Sequence, residues 1–303
     1  MTQNHGLFVG VTTLDCIYQA DHPPAANEKV VAAKSLMVAG GPATNAAVAF
    51  AQLMRSNKAA LHSVIGSHGL TGLIKEDLLS QGVTLSDLES ERLLPPAVSS
   101  IVVSAKTGER AVISRSAADA QVAADAVSPD ILSGVNIVLI DGHQMAASAQ
   151  IAQWAKEKNI PVIVDAGSWK PGFETVLPLA EAVIASANFF PPGCETVDGV
   201  IRYLSDLGIA KIAITRGAQP ILFVEGENTA NMEVPKVKAV DTLGAGDIFH
   251  GSFCHFYLTH TFEESLLKAS RTSSFACQHW GTRDWTKIYR IDIDDEDDED
   301  GAN

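Results

Sequence analysis

The stretch Val240-Asp241-Thr242-Leu243-Gly244-Ala245-Gly246-Asp247 sets two carboxylates around three residues with little or no side chain. It runs directly into Ile248-Phe249-His250-Gly251-Ser252-Phe253, where Phe249, Phe253 and Phe256 recur at helical spacing. Gly244, Ala245 and Gly246 are therefore expected in a turn that opens a helix. The first N–H groups of a helix have no partner within it, and with no bulky side chains in the way they make an anion site. Asp247 falls in the first turn, where the helix dipole favours a carboxylate. Two readings share this pattern. Either Asp247 caps the helix and the glycines merely turn the chain, or Asp247 takes a proton from an attacking hydroxyl beside an N–H cradle for a phosphoryl group. Phosphoryl transfer asks for both parts. The stretch is not a P-loop, because no G-x-x-x-x-G-K-[ST] occurs in the chain.

A second glycine turn, Gly40-Gly41-Pro42-Ala43-Thr44-Asn45, enters a run of Ala, Val, Phe and Leu. Paired glycines let backbone approach a ligand closely, and Thr44 and Asn45 could bond hydroxyls from the first helical turn. The alternative is a plain turn whose small residues let the helix pack tightly. Asp15 follows the first apolar strand, Asp165 ends another, and Thr215-Arg216-Gly217 ends a third. Each could be an ordinary turn residue. Together with the glycine turns they fall on one expected edge of a sheet, the edge at which α/β proteins bind ligands. A shared cleft explains them jointly better than independent turns do.

Positioning such residues requires strands that end at one level. Short apolar runs recur at Leu7 to Val11, Leu61 to Ile65, Ile137 to Asp141, Pro161 to Asp165, Ala182 to Ala185 and Lys211 to Thr215. Alanine-rich or amphipathic stretches lie between many of them, including Ala43 to Met54, Ala146 to Lys158 and Asp198 to Leu207. Apolar strands alternating with helices predict an α/β fold, a mostly parallel sheet covered on both faces. Two regions break the alternation, at about 16–39 and 97–116. The second reads as a hairpin with Gly108 in its turn. Both are expected as strands outside the main sheet, either a flap over a site or ordinary edge strands.

The 303 residues are 46% hydrophobic, enough for a large core. Of the formal charge of −14, eight acidic residues lie between Asp292 and Asp300, and −6 remains without them. An acidic surface argues against nucleic acid or an anionic membrane as partner. The run at 292–303 is expected to be a disordered tail on a domain spanning 1–291. Cys16, Cys194, Cys254 and Cys277 show no metal or redox spacing and read as reduced thiols. With no visible signal peptide and no apolar run long enough for a membrane helix, a cytoplasmic chain is expected.

The Gly40 to Asn45 and Asp241 to Asp247 stretches, in this order and spacing, resemble the two signatures of the ribokinase-like, or PfkB, carbohydrate kinases. The resemblance extends from about Leu7 to Gly281, and around Gly10 to Leu53 and Asp241 to Gly251 the chain looks most like the sulfofructose kinase and ketohexokinase branches. It implies a three-layer α/β/α fold with a small β lid, and a homodimer formed through that lid. It implies an ATP-dependent transfer to a hydroxyl of a small sugar, with Asp247 as base and the N–H groups of Gly244, Ala245 and Gly246 as anion hole. Asp15, Gly40, Gly41 and Asn45 match sugar-binding positions. Thr215 and Gly217 match the turn against the nucleotide. Asp241 and Thr242 match the place of a monovalent cation, K+, and Mg2+ would arrive with ATP. Two departures stand out. Many members carry an Asn and a Glu three residues apart near the phosphates, whereas here Asn188 is kept and Pro191 stands for the Glu, leaving water or Glu195 to serve the metal. Where the sulfofructose branch has an anion-gripping arginine, this chain has Gly142-His143. Lys29 and Arg115 are then the candidates for holding an anionic substrate group, or else solvated surface charges. A non-catalytic sugar or nucleotide sensor and a nucleoside kinase are the alternatives on the same fold. A dinucleotide oxidoreductase is disfavoured, because no G-x-G-x-x-G follows the first strand.

Overall fold

The structure, a computed structural model, describes residues 5–55, 58–115 and 119–289. The acidic stretch at 292–303 lies outside the described residues. Nine strands form the main sheet in the order β13-β12-β11-β10-β9-β8-β1-β4-β5. Its parallel members are β1 (Gly6–Val9), β4 (Ala59–Ser63), β5 (Val83–Asp87), β8 (Ile137–Ile140), β9 (Val162–Ala166), β10 (Ala182–Ser186) and β11 (Lys211–Arg216). Antiparallel β12 (Gln219–Glu225) and β13 (Asn228–Met232) close one edge.

Successive strand residues point to opposite faces, and the core divides accordingly. Phe8, Leu61, Leu139, Ile163 and Ile184 face a cluster with α1 (Pro42–Met54), α2 (Thr71–Ser80), α6 (Ala245–Tyr257) and α7 (Phe262–Ala276). Leu7, Val9, Val138, Ile140, Val164 and Ile212 face the other layer, with α3 (Met145–Glu157), α4 (Phe173–Val176) and α5 (Val197–Asp206). This is the parallel sheet covered on both faces that the alternating pattern predicts, and the three-layer arrangement that the resemblance implies. From β1 the chain order runs outward in both directions, through β4 and β5 on one side and β8 to β11 on the other. The reversal at β1 and β8 is a switch point of the kind that opens a crevice beyond the strand C-termini.

The two irregular regions form a separate four-stranded sheet, in the order β3-β2-β6-β7, from β2 (Thr13–Ala20), β3 (Lys34–Gly40), β6 (Ala97–Ser104) and β7 (Arg110–Ser114). Strand pairing begins at Thr13, earlier than Cys16, and residues 21–33 are not strand, because Pro23-Pro24 cannot donate to a ladder. Gly108 has φ 69° in the β6–β7 turn, a conformation that a residue with a Cβ adopts only at a cost. Register places Leu36, Ile17, Ile101 and Val112 in one row and Val38, Asp15, Ser99 and Ser114 in the next, on the same face. That face packs on Leu243 and Trp280, so the small sheet lies over the turn that precedes α6. No helix among the described residues is long and apolar enough to cross a membrane.

Candidate active site

A cavity of about 950 Å³ lies between the small sheet and the C-terminal edge of the main sheet. Asp15, Asn45, Ser99, Arg110, Leu243 and Asp247 are among its walls. Residues more than 200 positions apart in sequence thus share one space.

Asp247 enters it from the first turn of α6, whose start is Gly244 at φ 71°. A Cβ on Gly244 would come within 2.8 Å of Thr282 Cγ2, so the turn needs glycine for its conformation and for space. Asn45, in the first turn of α1, donates Nδ2 to Asp247 Oδ2 at 2.9 Å. Burial and the nearby charge of Asp165 push the Asp247 carboxyl up to about 7, opposed by Asn45, His250 and Arg110. A carboxyl poised there is ionised in half the molecules near neutral pH and holds a proton well once it has taken one. Below it, His250 Nδ1 lies 2.7 Å from Gly246 O and 3.5 Å from Asp165 Oδ2, and its Nε2 lies 3.2 Å from Ile184 O. Asp165 is itself raised, first by burial. Neither the burial nor the second carboxylate is something a helix cap requires.

The other glycine turn is shaped by two close approaches. A Cβ on Gly40 would lie 1.9 Å from Asp15 Oδ2, and one on Gly41, at φ 100°, would lie 2.4 Å from Val11 O. Asp15 is buried, accepts from Thr13 Oγ1 at 2.6 Å, and is raised above the usual carboxylate range by burial. Thr44 is fully buried and bonds Thr12 Oγ1 and Val11 O. It ties α1 to the loop after β1 and, unlike Asn45, is not on the cavity wall.

Asp241 is buried and accepts from Leu243 N and Gly281 N, both at 2.9 Å. Thr242 donates to Gly108 O of the hairpin turn at 3.2 Å. The two residues thus anchor the turn in different directions. Arg115 is on the cavity rim, half-exposed and paired with Asp119 at 3.0 Å. Lys29 is exposed in the 21–33 connection between β2 and β3 and is not among the cavity residues. Thr215 near the end of β11, Gly217 just beyond it and Asn188 just beyond β10 sit at the same strand edge, outside the walls that Asp247 shares. Thr215 Oγ1 donates to Ala185 O, and Asn188 is exposed with its N–H on Ser186 Oγ. Pro191 is buried and Glu195 exposed. Among the described residues, no three His, Cys, Asp or Glu side chains converge as a metal cluster.

Several residues that matter here were not singled out from the sequence. Asp141 is fully enclosed at the switch point, where it accepts from Val11 N, Ala43 N and His143 N at 2.9–3.1 Å. It fastens β1, α1 and β8 together, and a Cβ on Gly10 would lie 2.1 Å from its carboxyl carbon. Its only signal was a carboxylate closing an apolar strand. Arg110, on β7, donates to Thr242 O at 3.3 Å and brings positive charge over Asp247; a charged residue next to a hairpin turn gave no hint of that. Arg283 reaches the site from beyond α7, and nothing local marked it.

Comparison with known proteins gives consistent matches. A family model described as pfkB family carbohydrate kinase matches residues 4–288. Deoxyribokinase of Salmonella typhi is 24% identical over 292 residues, covering 91% of this chain and 93% of its own. Ribokinase of Lactococcus lactis subsp. lactis is 23% identical over 285 residues, covering 91% of each chain. The structure of Arabidopsis thaliana ribokinase complexed with ribose and ATP superposes with a TM-score of 0.73 at 21% identity, over 95% of this chain and 100% of that one. Adenosine kinase from Sinorhizobium meliloti superposes with a TM-score of 0.78 at 17% identity, over 98% and 99% of the two chains.

Proposed function

The chain belongs to the pfkB family of carbohydrate kinases, phosphotransferases that use an alcohol group as acceptor, and on that premise we propose that it moves the γ-phosphate of ATP to a hydroxyl of a small sugar with Asp247 as the base. The observation that carries this reading is the Asp247 carboxyl itself, on a cavity wall at the start of α6 and lifted to about 7 by its surroundings.

The acceptor sugar lies against Asp15 and Asn45 under the small sheet. Its reacting hydroxyl gives a proton to Asp247 as its oxygen attacks the γ-phosphorus, and the bond from that phosphorus to the bridging oxygen of ADP breaks. The N–H groups of Gly244 and Gly246, at the positive end of α6, stabilise the charge carried through the transfer, while the Ala245 N–H expected to join them donates to Thr242 O at 3.3 Å. Arg110 adds a side-chain cation on the same side. The lid keeps water, a competing acceptor, away from the phosphoryl group. Thr215 and Gly217 border the nucleotide, with Asn188 near its phosphates. Mg2+ would arrive with ATP and neutralise charge on the triphosphate. K+ would be held at the Asp241–Thr242 turn, where the Asp241 carboxylate, which also accepts from Leu243 N and Gly281 N, supplies the negative charge. Tyr18, Met37 and Ile113 stand exposed on the outer face of the small sheet, which supports a homodimer through the lid. A nucleoside acceptor is the second reading, favoured by a cavity larger than one sugar needs and by apolar walls from Ile101, Val112 and Leu243.

The test is ADP release with a panel of ketoses, pentoses and nucleosides, for the wild type and for Asp247→Asn. Turnover in the variant close to wild type would sink the assignment of the base.

A further inference from the structure

Arg283 is 5% exposed and belongs to no regular helix or strand. Its guanidinium nevertheless reaches three separate parts of the site. Nη1 donates to Asn45 Oδ1 at 3.1 Å. Nη2 donates to Ala39 O at 2.6 Å and to Asp77 Oδ2 at 3.0 Å. Asp77 Oδ2 also accepts from Ala39 N at 3.0 Å. An ion pair is therefore buried against the strand end that leads into Gly40 and Gly41.

The consequence falls on Asn45. A guanidinium offers only donors, so it requires the carbonyl end of the Asn45 amide. The NH2 end is then turned toward Asp247, whose Oδ2 it meets at 2.9 Å. Flipping the amide would set its NH2 against the guanidinium and its oxygen against a carboxylate, both unfavourable. Asn45 is 4% exposed, so water is poorly placed to stand in for either bond.

We propose that Arg283 is a positioning residue for the base: held by Asp77 and Ala39, it locks the Asn45 amide so that Asp247 Oδ2 is occupied and Oδ1 receives the substrate proton. This rests on Asp247 being the base. The groups that face Asp247 are Asp165, His250, Arg110 and Asn45, and Asp77 is the carboxylate paired with Arg283.

The experiment follows the carboxyl directly, without a substrate. The full-length protein is labelled with 13C-carboxyl aspartate, and the Asp247 resonance is identified by its loss in Asp247→Asn. Its titration midpoint is measured in wild type, Arg283→Lys, Asn45→Ala and the double variant. Lysine keeps a charge for Asp77 but cannot hold Asn45 and Ala39 together in the same fork. Arg283→Lys is expected to raise the midpoint by about one pH unit, a tenfold change in ionisation. Asn45→Ala should raise it too, and the double variant no further, because the two act as one unit. An unmoved midpoint in Arg283→Lys overturns the proposal, as do additive shifts. A lowered melting temperature with an unmoved midpoint assigns Arg283 a structural role only. Should Arg283→Lys fail to fold, Asp77→Asn loosens the same anchor and is expected to raise the midpoint in the same direction. ADP release with D-ribose and D-fructose is run alongside. Persistent turnover in Asp247→Asn refutes the base, whereas the midpoint coupling between Arg283 and Asn45 is read independently of turnover.

Discussion

Replacing Asp247 by Asn tests the site through two quantities that move in opposite directions. The new side chain keeps the shape and can still accept from Asn45 Nδ2, so the 2.9 Å contact survives. What is lost is the ability to take a proton. Removing a general base costs about 10²–10⁴ in rate, and kcat is expected to fall by that factor while ATP still binds. What is gained is stability. The folded carboxyl sits near 7 instead of 3.8, and about three pH units correspond to about 4 kcal/mol as an upper bound, with partial solvent access reducing it. The sign follows from which state releases its proton first. Below about 4 the carboxyl is neutral in both states, and Asn and Asp are equivalent. Between about 4 and 7 the unfolded chain ionises while the folded one resists, so the wild type loses stability as pH rises. Above 7 both are ionised and the penalty is constant. Urea unfolding at pH 4, 6 and 8, beside ADP release, reads both effects. The variant should be more stable by a few kcal/mol at pH 8 and hardly different at pH 4. Equal stability at pH 8 would refute the idea that burial and Asp165 strain this carboxylate, and undiminished turnover would refute its role as base.

The acid side of the kcat/KM profile of the wild type should have its midpoint near 7, rising with pH as Asp247 ionises; a flat profile from pH 5.5 to 8 would contradict this. Gly40→Ala, whose Cβ would lie 1.9 Å from Asp15 Oδ2, should cut kcat/KM about 10²-fold by displacing a sugar contact, read with a sugar titration. Asp141→Asn should cost about 1–3 kcal/mol at pH 7, since three backbone donors lose a charged acceptor. The Asp141 carboxyl is held below its usual range, so this difference is present above about 4 and should shrink as the pH falls further, which guanidinium unfolding at pH 3 and 7 checks. The proposed lid dimer should be turned into a monomer by Ile113→Asp on the outer face of the small sheet, read by light scattering, and a wild type that is already monomeric would refute that dimer.

Much of the fold was legible because its signals are local. Apolar runs of strand length alternating with helical spacing require a covered parallel sheet, and the structure places those runs within a few residues of their expected limits. The glycine turns at Gly40 and Gly244 were legible for the same reason, since backbone conformation and close approach leave glycine little competition. The strands expected within about 16–39 form at its two ends, as β2 and β3, and the double proline keeps the middle out of the sheet.

The residue types at 15, 40, 41, 45 and 241–247 were determined by the sequence alone, and with them the chemistry on offer: carboxylates, an N–H cradle and close backbone approach. Only the tertiary structure decided which carboxylate is strained. That depends on Asp165 of β9 and Arg110 of β7 arriving beside the helix that carries Asp247 and His250, and a side chain's charge state is set by distance and burial, which carry no mark in linear order. The same holds for Arg283. In the chain it is one of two charged residues, with Asp284, between Trp280 and Trp285, and it reaches Asn45 only because the segment after α7 returns across the start of α1. The opening turn thus keeps the residue types read from its sequence, and the groups that set the charge of Asp247 come in part from stretches of the chain that folding alone brings beside it.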